Sequence, residues 1–123
     1  MVFVTGATGL LGSFICRELI KNGQSIRAIK RESSQLTLIE DIADQIEWVN
    51  GDMNDTTFLL EALNGVDGVI HGAAIISFDK RDEDRMYKTN VQGTADLVNA
   101  CLKAGVKNFV QISSVAAIGR KPG

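Results

Sequence analysis

The chain has 123 residues, of which 45% are hydrophobic and 23% charged, a composition typical of one soluble globular domain. Its net charge is −2 without any basic run, which argues against a nucleic-acid partner, and no apolar stretch approaches the roughly 20 residues that a membrane span requires. No basic segment precedes the first apolar run, so no secretory signal is predicted, and Cys16 and Cys101 are expected to be reduced core thiols of a cytoplasmic protein.

Short apolar runs alternate with amphipathic segments along the chain. The strands are predicted at Met1–Thr5, Ser25–Lys30, Glu47–Asn50, Gly68–His71 and Asn108–Ile112. The helices are predicted at Leu10–Asn22, Ser34–Ala43, Thr56–Leu63 and Asp82–Ala104, and glycines that should end helices stand at Gly23, Gly65 and Gly105. This alternation implies βαβ crossovers. One α/β domain over residues 1–123 is therefore predicted, a doubly wound parallel sheet of about five strands in order 3-2-1-4-5 with helices on both faces.

Three glycines in "VTGATGLLGSF" recur every third residue between the first strand and the first helix: Gly6, Gly9 and Gly12. In a dinucleotide-binding loop one glycine makes the tight turn, one lets the backbone approach a pyrophosphate, and one lets helix and strand pack closely. A phosphate-binding P-loop is excluded because no Gly-Lys-Ser/Thr follows. The loop therefore predicts a dinucleotide site, and a plain strand–helix turn is the alternative interpretation.

Five motifs in this order resemble the extended branch of the short-chain dehydrogenase/reductase superfamily, which includes NAD(P)-dependent epimerases, dehydratases and dihydroflavonol-reductase-like enzymes. They are "TGATGLLG" at 5–12, "GDMND" at 51–55, "IHGAA" at 70–74, "TNVQGT" at 89–94 and "SS" at 113–114. The resemblance covers the whole chain and implies a Rossmann-type fold. It assigns cofactor binding to Thr5, Gly6, Thr8, Gly9, Leu10, Leu11, Gly12, Arg31, Asp52, Met53, Ala73, Ala74, Asn90 and Ser113.

The cofactor type is predicted from the residue that follows the second strand. Arg31 stands where NAD-binding proteins usually have an acidic residue, and an arginine there accommodates the 2′-phosphate of NADP. NADP is therefore predicted, although the neighbouring Glu32 keeps NAD open, and a solvated basic strand end is the alternative. By the resemblance Asp52 accepts a hydrogen bond from the adenine amino group and Met53 packs on the ring. The alternative for Asp52 is a turn residue that caps the next helix.

Two further polar residues fall in predicted core positions. The lone His71 at a strand end is expected to be a hydrogen-bonded structural residue, and together with the cysteines it makes no metal-ligand spacing, so no metal is expected. Asn90 belongs to a helical stripe that should face the sheet: Met86, Asn90, Gly93, Leu97, Cys101 and Ala104. The resemblance implies that Asn90 braces the cofactor site and that Gly93 permits close packing.

Ser114 matches the catalytic Ser/Thr of the superfamily, whose hydroxyl would hold the reacting oxygen of a small-molecule substrate. The superfamily's Tyr-x-x-x-Lys is absent, because Tyr87 precedes Ser114 and has Val91 four residues on. The resemblance therefore implies the first part of a longer enzyme, whose catalytic helix and substrate domain follow Gly123, and leaves a homodimer open. The expected activity is hydride transfer between nicotinamide and a carbinol or ketone carbon of a small molecule or nucleotide-sugar. The alternative is a non-catalytic dinucleotide-binding or redox-sensing module.

Overall fold

Strands and helices alternate in the computed structural model, which describes residues 1–72, 81 and 83–112. The strands are β1 (Val2–Thr5), β2 (Ile26–Lys30), β3 (Ile46–Asn50), β4 (Gly68–His71) and β5 (Asn108–Gln111). The helices are α1 (Leu10–Lys21), α2 (Thr56–Ala62), α3 (Glu83–Tyr87) and α4 (Gly93–Ala104), with a π-helical turn at Lys88–Gln92 between α3 and α4. The predicted strands agree with the observed ones to within one residue at every end.

The five strands form one parallel sheet in the order β3-β2-β1-β4-β5, so the predicted fold class and strand order are confirmed. On β1, Val2 lies opposite Ile26 of β2 and Gly68 of β4. The chain runs outward from β1 to β3 and then returns to the other side of β1. The carboxyl ends of β1 and β4 therefore meet at the point where the winding reverses, which is where doubly wound sheets bind ligands.

The sheet has a hydrophobic core on each face. Phe3, Leu59 and Leu97 belong to the core shared with α2 and α4, whereas Val4 and Cys16 belong to the core shared with α1. Because successive side chains of a strand point to opposite faces, the neighbours Phe3 and Val4 are both fully buried. This two-sided burial explains why the first strand is apolar throughout.

The helices end where glycines permit a left-handed backbone, as the sequence predicts. Gly105, with φ of 75°, is the C-cap of α4. Gly23 and Gly65 follow the C-caps of α1 and α2, and each has φ of 78°. A side chain would be strained at each of these positions.

The predicted helix at Ser34–Ala43 is wrong. This part of the chain contains a 3-10 turn at Thr37–Ile39, and another follows at Ala43–Gln45. The Arg17 guanidinium, on α1, donates to the Leu38 carbonyl oxygen at 2.7 Å, which occupies an acceptor that a regular helix would use. The backbone instead closes tight turns, such as Ile42 N–H to Ile39 carbonyl at 3.0 Å.

The long predicted helix Asp82–Ala104 differs in two respects. Its π-helical turn at Lys88–Gln92 was not predicted, and Ala104 is exposed although the predicted stripe buries it. Leu97 and Cys101 of that stripe are buried against the sheet. An added Cβ on Gly93 would lie 3.6 Å from the Lys88 carbonyl oxygen, an ordinary contact, so the packing here does not require glycine.

Candidate functional site

The glycine loop joins the end of β1 to the start of α1, and its three glycines have different structural roles. Gly6 has φ of 78°, which favours glycine. A Cβ on Gly12 would lie 2.9 Å from the Ala7 Cα and would also overlap the Gly6 carbonyl group. A Cβ on Gly9 would lie 3.5 Å from the Gly6 oxygen, an ordinary contact, and its φ of −83° suits any residue. The fold therefore requires glycine at Gly6 and Gly12 but not at Gly9.

Helix α1 starts at this loop with its N-terminal N–H groups uncapped by a side chain. Gly9 is the N-cap residue and therefore has no side chain to accept a hydrogen bond, and the first turn holds no acidic residue. The regular helical bonds begin when the Ser13 N–H donates to the Gly9 carbonyl at 2.9 Å. The unpaired N–H groups and the positive end of the helix dipole favour an anion at this position.

A cavity of about 170 Å³ lies beside the loop at the carboxyl ends of three neighbouring strands. The glycine loop, the segment after β2 and the segment after β3 each contribute to it. Its lining residues are Gly6, Thr8, Ile29, Lys30, Arg31, Ser34, Gly51, Asp52, Met53 and Asn54. Because these strands are parallel, their carboxyl ends share one edge of the sheet, and three motifs distant in sequence meet there.

Arg31 is presented to the cavity by a short turn. Its backbone N–H donates to the Ser34 hydroxyl at 3.2 Å, and the Ser34 N–H donates to the Arg31 carbonyl at 2.9 Å. None of the ion pairs formed within the described residues involves Arg31 or its neighbour Lys30. The cavity therefore has two cationic side chains on the β2 side that are available to an anionic ligand.

Asp55 caps helix α2, whereas Asp52, for which the sequence left a capping role open, closes the turn before it. Asp55 is the N-cap of α2 and accepts from the Phe58 N–H at 3.1 Å. Asp52 instead closes a turn, where its Oδ1 accepts from the Asn54 N–H at 2.9 Å. The alternative in which Asp52 caps the helix is therefore wrong, and its exposed carboxylate lines the cavity beside the half-buried Met53.

His71 lies at the end of β4, is 3% exposed and is hydrogen-bonded through both ring nitrogens. Its Nδ1 is 2.6 Å from the Thr5 hydroxyl and its Nε2 is 2.8 Å from the Thr94 hydroxyl. The Thr94 hydroxyl donates to the Asn90 carbonyl at 2.8 Å, and the Gly72 N–H donates to the Thr5 hydroxyl at 3.0 Å. Burial lowers the pKa of His71. The expected hydrogen-bonded structural histidine is present.

The residues predicted to bind cofactor fall into four groups. Those that line the cavity are Gly6, Thr8, Arg31, Asp52 and Met53. Gly9 and Gly12 complete the loop, and Leu10 and Leu11 in the first turn of α1 are 64% and 57% exposed. Thr5 and Asn90 belong to the His71 network. Ala73, Ala74 and Ser113 lie outside the described residues, as does Ser114, which was predicted to be catalytic.

Sequence reasoning missed two residues at this edge of the sheet. Ser34 was assigned to a helix, although a hydroxyl three residues after a strand-end arginine is a signal for a side-chain turn. Thr94 stands in the quoted "TNVQGT" motif without a role, and its partner His71 is 23 residues away in sequence. A hydrogen bond of that span leaves no local signal.

A doubly wound parallel sheet with a glycine loop and an uncapped helix N-terminus at its switch point defines a Rossmann-type α/β protein. A family model described as "NAD dependent epimerase/dehydratase family" matches residues 2–123. The chain belongs to this family, and the resemblance to the extended short-chain dehydrogenases/reductases is confirmed.

Several relatives are similar to the chain. The protein of Synechocystis sp. named "Putative dihydroflavonol 4-reductase" is 40% identical over 119 residues, which are 97% of this chain and 34% of that protein. A short-chain dehydrogenase/reductase superfamily protein of Agrobacterium tumefaciens, crystallised with bound NAD, is 34% identical with a TM-score of 0.78, over 93% of this chain and 32% of that one. The UDP-glucose-4-epimerase of Stenotrophomonas maltophila, also with NAD, is 26% identical with a TM-score of 0.85, over 99% and 39%.

The chain spans about a third of the length of the curated relatives that it matches, 34% of one and 36% of another. Over the ranges that the structure describes, no helix has the length and apolar character needed to cross a bilayer. The same ranges contain no cluster of three or more His, Cys, Asp or Glu side chains that could hold a metal ion.

Proposed function

We propose that this chain binds a nicotinamide dinucleotide, NADP in preference to NAD, as the cofactor-binding part of an oxidoreductase, epimerase or dehydratase. One observation carries the proposal: the glycine loop and the ends of β2 and β3 converge on a single cavity at the switch point of the sheet. The NAD named in the structures of similar proteins supports the cofactor class.

The residues present fit such a cofactor. The uncapped N–H groups of α1 suit a pyrophosphate. The absence of a Cβ on Gly9 leaves room for the pyrophosphate to approach, and the fold itself does not need glycine at this position. Arg31 and Lys30 can donate charge-assisted hydrogen bonds to a 2′-phosphate. Asp52 can accept from an adenine amino group, because one of its oxygens is engaged with Asn54 and the other is available.

The proposed reaction is hydride transfer with a carbinol or ketone carbon of a small molecule or nucleotide-sugar. The bound nicotinamide supplies the hydride chemistry. Ser114 is proposed to hydrogen-bond the reacting oxygen of the substrate, and Ser113, Ala73 and Ala74 are proposed to bind the cofactor. Tyr87 is exposed on α3 and has no lysine four residues on, so we assign the acid/base group to the part of the protein that corresponds to the relatives' remaining length.

Two variants test the cofactor site, in the protein encoded by the whole open reading frame that contains this chain. Gly9→Ala places a methyl group where the pyrophosphate approaches, so affinity for NADP and NAD should fall together, by about tenfold or more. Arg31→Ala removes a charge-assisted contact worth roughly 1.5–3 kcal/mol, so NADP affinity should drop about 10- to 100-fold while NAD affinity changes little. Isothermal titration calorimetry measures both.

The matched control is Lys21→Ala, which removes an exposed cation at the other end of α1, roughly 16 Å along the helix from its start. This variant should bind both dinucleotides as the wild type does. Unchanged binding by Gly9→Ala would refute the pyrophosphate site. Equal losses of NADP and NAD affinity in Arg31→Ala would refute the 2′-phosphate contact and leave the cofactor class standing.

Catalysis is tested by expressing residues 1–123 and the whole reading frame side by side. NADPH absorbance is followed with a panel of ketones and nucleotide-sugars. Turnover is expected for the longer protein alone, because general acid/base catalysis is typically worth about 10²- to 10⁴-fold and residues 1–123 contain no Tyr-x-x-x-Lys. Turnover by residues 1–123 would refute the assignment of the acid/base group. If both proteins bind the dinucleotide and neither turns over a substrate, a non-catalytic sensing module is favoured.

A further inference from the structure

His71 is a buried titratable group that the proposed chemistry does not use. It links three elements, because its ring contacts Thr5 at the end of β1 and Thr94 on α4 while its backbone belongs to β4. Thr5 immediately precedes the glycine loop, and the backbone N–H of Gly72 is also bound to the Thr5 hydroxyl. The network is therefore one residue from the glycine loop at Thr5, at the switch point of the sheet.

Counting donors assigns the tautomer of the ring. The Thr94 hydroxyl has one hydrogen, and it donates that hydrogen to the Asn90 carbonyl, so towards His71 it can only accept. The Nε2 of His71 therefore has the hydrogen and donates to Thr94. In a neutral ring the Nδ1 is then the acceptor, and it receives the hydrogen of the Thr5 hydroxyl, which itself accepts from the Gly72 N–H. Each hydrogen of these four hydrogen bonds therefore has one acceptor.

The surroundings of the ring favour its neutral form. Among the described residues, the side chains that contact it from the neighbouring elements are Thr5 on β1, Thr94 on α4 and Phe109 on β5, whose ring centroid is 6.2 Å away. None of these three is charged. Burial is the cause that lowers the pKa of His71, and no charged side chain of the described residues opposes it.

We propose that His71, as the neutral Nε2–H tautomer, is a positioning residue that ties α4 to the carboxyl ends of β1 and β4 and so sets the glycine loop for dinucleotide binding. The inference rests on the proposed function, since it names what holds that site in place. It assigns Thr94 the role of acceptor for the ring and Thr5 the role of donor. Neither the ring nor the Thr94 side chain needs to touch the cofactor.

The tautomer is tested by NMR of the protein with ¹⁵N-labelled histidine. His71 is the one histidine of this sequence, and subtraction of the His71→Asn spectrum identifies its ring signals if the full-length protein has others. We expect a protonated Nε2 and an unprotonated Nδ1, which persist below the ordinary histidine pKa of 6.5. An Nδ1–H tautomer or a charged ring at neutral pH would overturn the inference.

The positioning role is tested by Thr94→Val, which keeps the shape of the side chain and removes the acceptor. In this variant the buried Nε2–H is left without a partner, so α4 is no longer tied to the strand ends beside the glycine loop. Dinucleotide affinity should therefore fall about tenfold at a temperature where the variant is fully folded. Thr94→Ser restores the hydroxyl and should bind within about twofold of the wild type. The matched control is Thr57→Val, at an exposed position on α2.

The outcomes separate this inference from the proposed function. If the wild type binds neither dinucleotide, the proposed function fails, and the positioning role fails with it. If the wild type binds and folded Thr94→Val binds equally well, the positioning role alone is overturned. Should Thr94→Val not fold, Thr94→Ala takes its place with the same expected loss, and equal binding by folded Thr94→Ala overturns the positioning role, while the wild-type tautomer still decides the donor assignment.

Discussion

Replacing Gly12 by alanine tests the packing of α1 against the glycine loop. The added Cβ would lie 2.7 Å from the Gly6 carbonyl carbon and 2.9 Å from the Ala7 Cα, and it would overlap the Gly6 oxygen. These are backbone atoms, so no side chain can rotate away to relieve the contact. Either α1 moves outward or the turn at Gly6 opens, and each movement disturbs the buried contacts that Ala7 and Cys16 make under the helix.

The expected loss of stability is the difference between two terms. Overpacking of this kind costs about 1–3 kcal/mol, and more where backbone must move. Alanine is favoured over glycine within a helix by about 0.8–1 kcal/mol, which offsets part of that cost. Because the overlapping atoms belong to the backbone, the overpacking cost should lie near the upper end of that range, about 3 kcal/mol, and the free energy of unfolding should therefore fall by about 2 kcal/mol. For a domain of this size the melting temperature should drop by roughly 8 °C.

The assay is thermal and urea unfolding followed by circular dichroism, with Gly93→Ala as the matched control. A Cβ on Gly93 would meet its nearest atoms at 3.6 and 3.8 Å, and the residue lies at the start of α4, so this variant should be as stable as the wild type or up to about 1 kcal/mol more stable. A Gly12→Ala protein that melts with the wild type would refute the packing argument. If Gly93→Ala lost as much stability as Gly12→Ala, the close approach of backbone atoms to Gly12 would not be the cause of its loss.

Three further predictions concern stability and reactivity. Arg27→Ala should lower the free energy of unfolding, measured by urea titration, by about 2 kcal/mol, because the guanidinium donates to two backbone carbonyls at the end of α2 at 2.6 and 2.8 Å. Glu47→Gln removes only the exposed ion pair with Arg27 and should cost under about 1 kcal/mol in the same titration. Asp55→Ala removes the N-cap of α2 and should cost about 1 kcal/mol by the same measurement. Burial raises the pKa of the Cys16 and Cys101 thiols from 9.0 to about 11, so the native protein should resist iodoacetamide at pH 8, and stability should fall between pH 9 and 11, where the unfolded chain loses protons that the folded chain keeps.

The sequence predicts the fold and much of the candidate cavity because both depend on strong local patterns. Apolar runs bounded by turn residues locate the strands, and the parallel topology follows from the helices between them. Once the strands are parallel, residues that follow different strands must meet at one edge. Gly6, Arg31 and Asp52 are far apart in the chain, yet they line one cavity for this reason.

The features that the sequence did not predict depend on contacts between distant segments. The segment Ser34–Ala43 has helical periodicity, but the Leu38 carbonyl is bound by Arg17 from α1, and no local pattern encodes that contact. The π-helical turn before α4 changes the hydrogen-bond register without a change in composition that would reveal it. Asp52 and Asp55 are both plausible caps by type, and the geometry alone assigns the cap to Asp55.

The motif residues of this chain divide according to what requires them. Gly12 is required by the packing of α1, so its loss should appear first in stability. The fold has no such need for a bare Cα at Gly9 or for a cation at Arg31, which forms no ion pair within the described residues, so their loss should appear in ligand affinity with stability kept. Thr94 lies between these cases, because its hydroxyl is satisfied inside the protein while the strand ends that it holds border the proposed site. Melting temperature and dinucleotide affinity should therefore be measured together for each variant. The two measurements separate residues that build the site from residues that contact the ligand, a distinction that the shared motifs do not make.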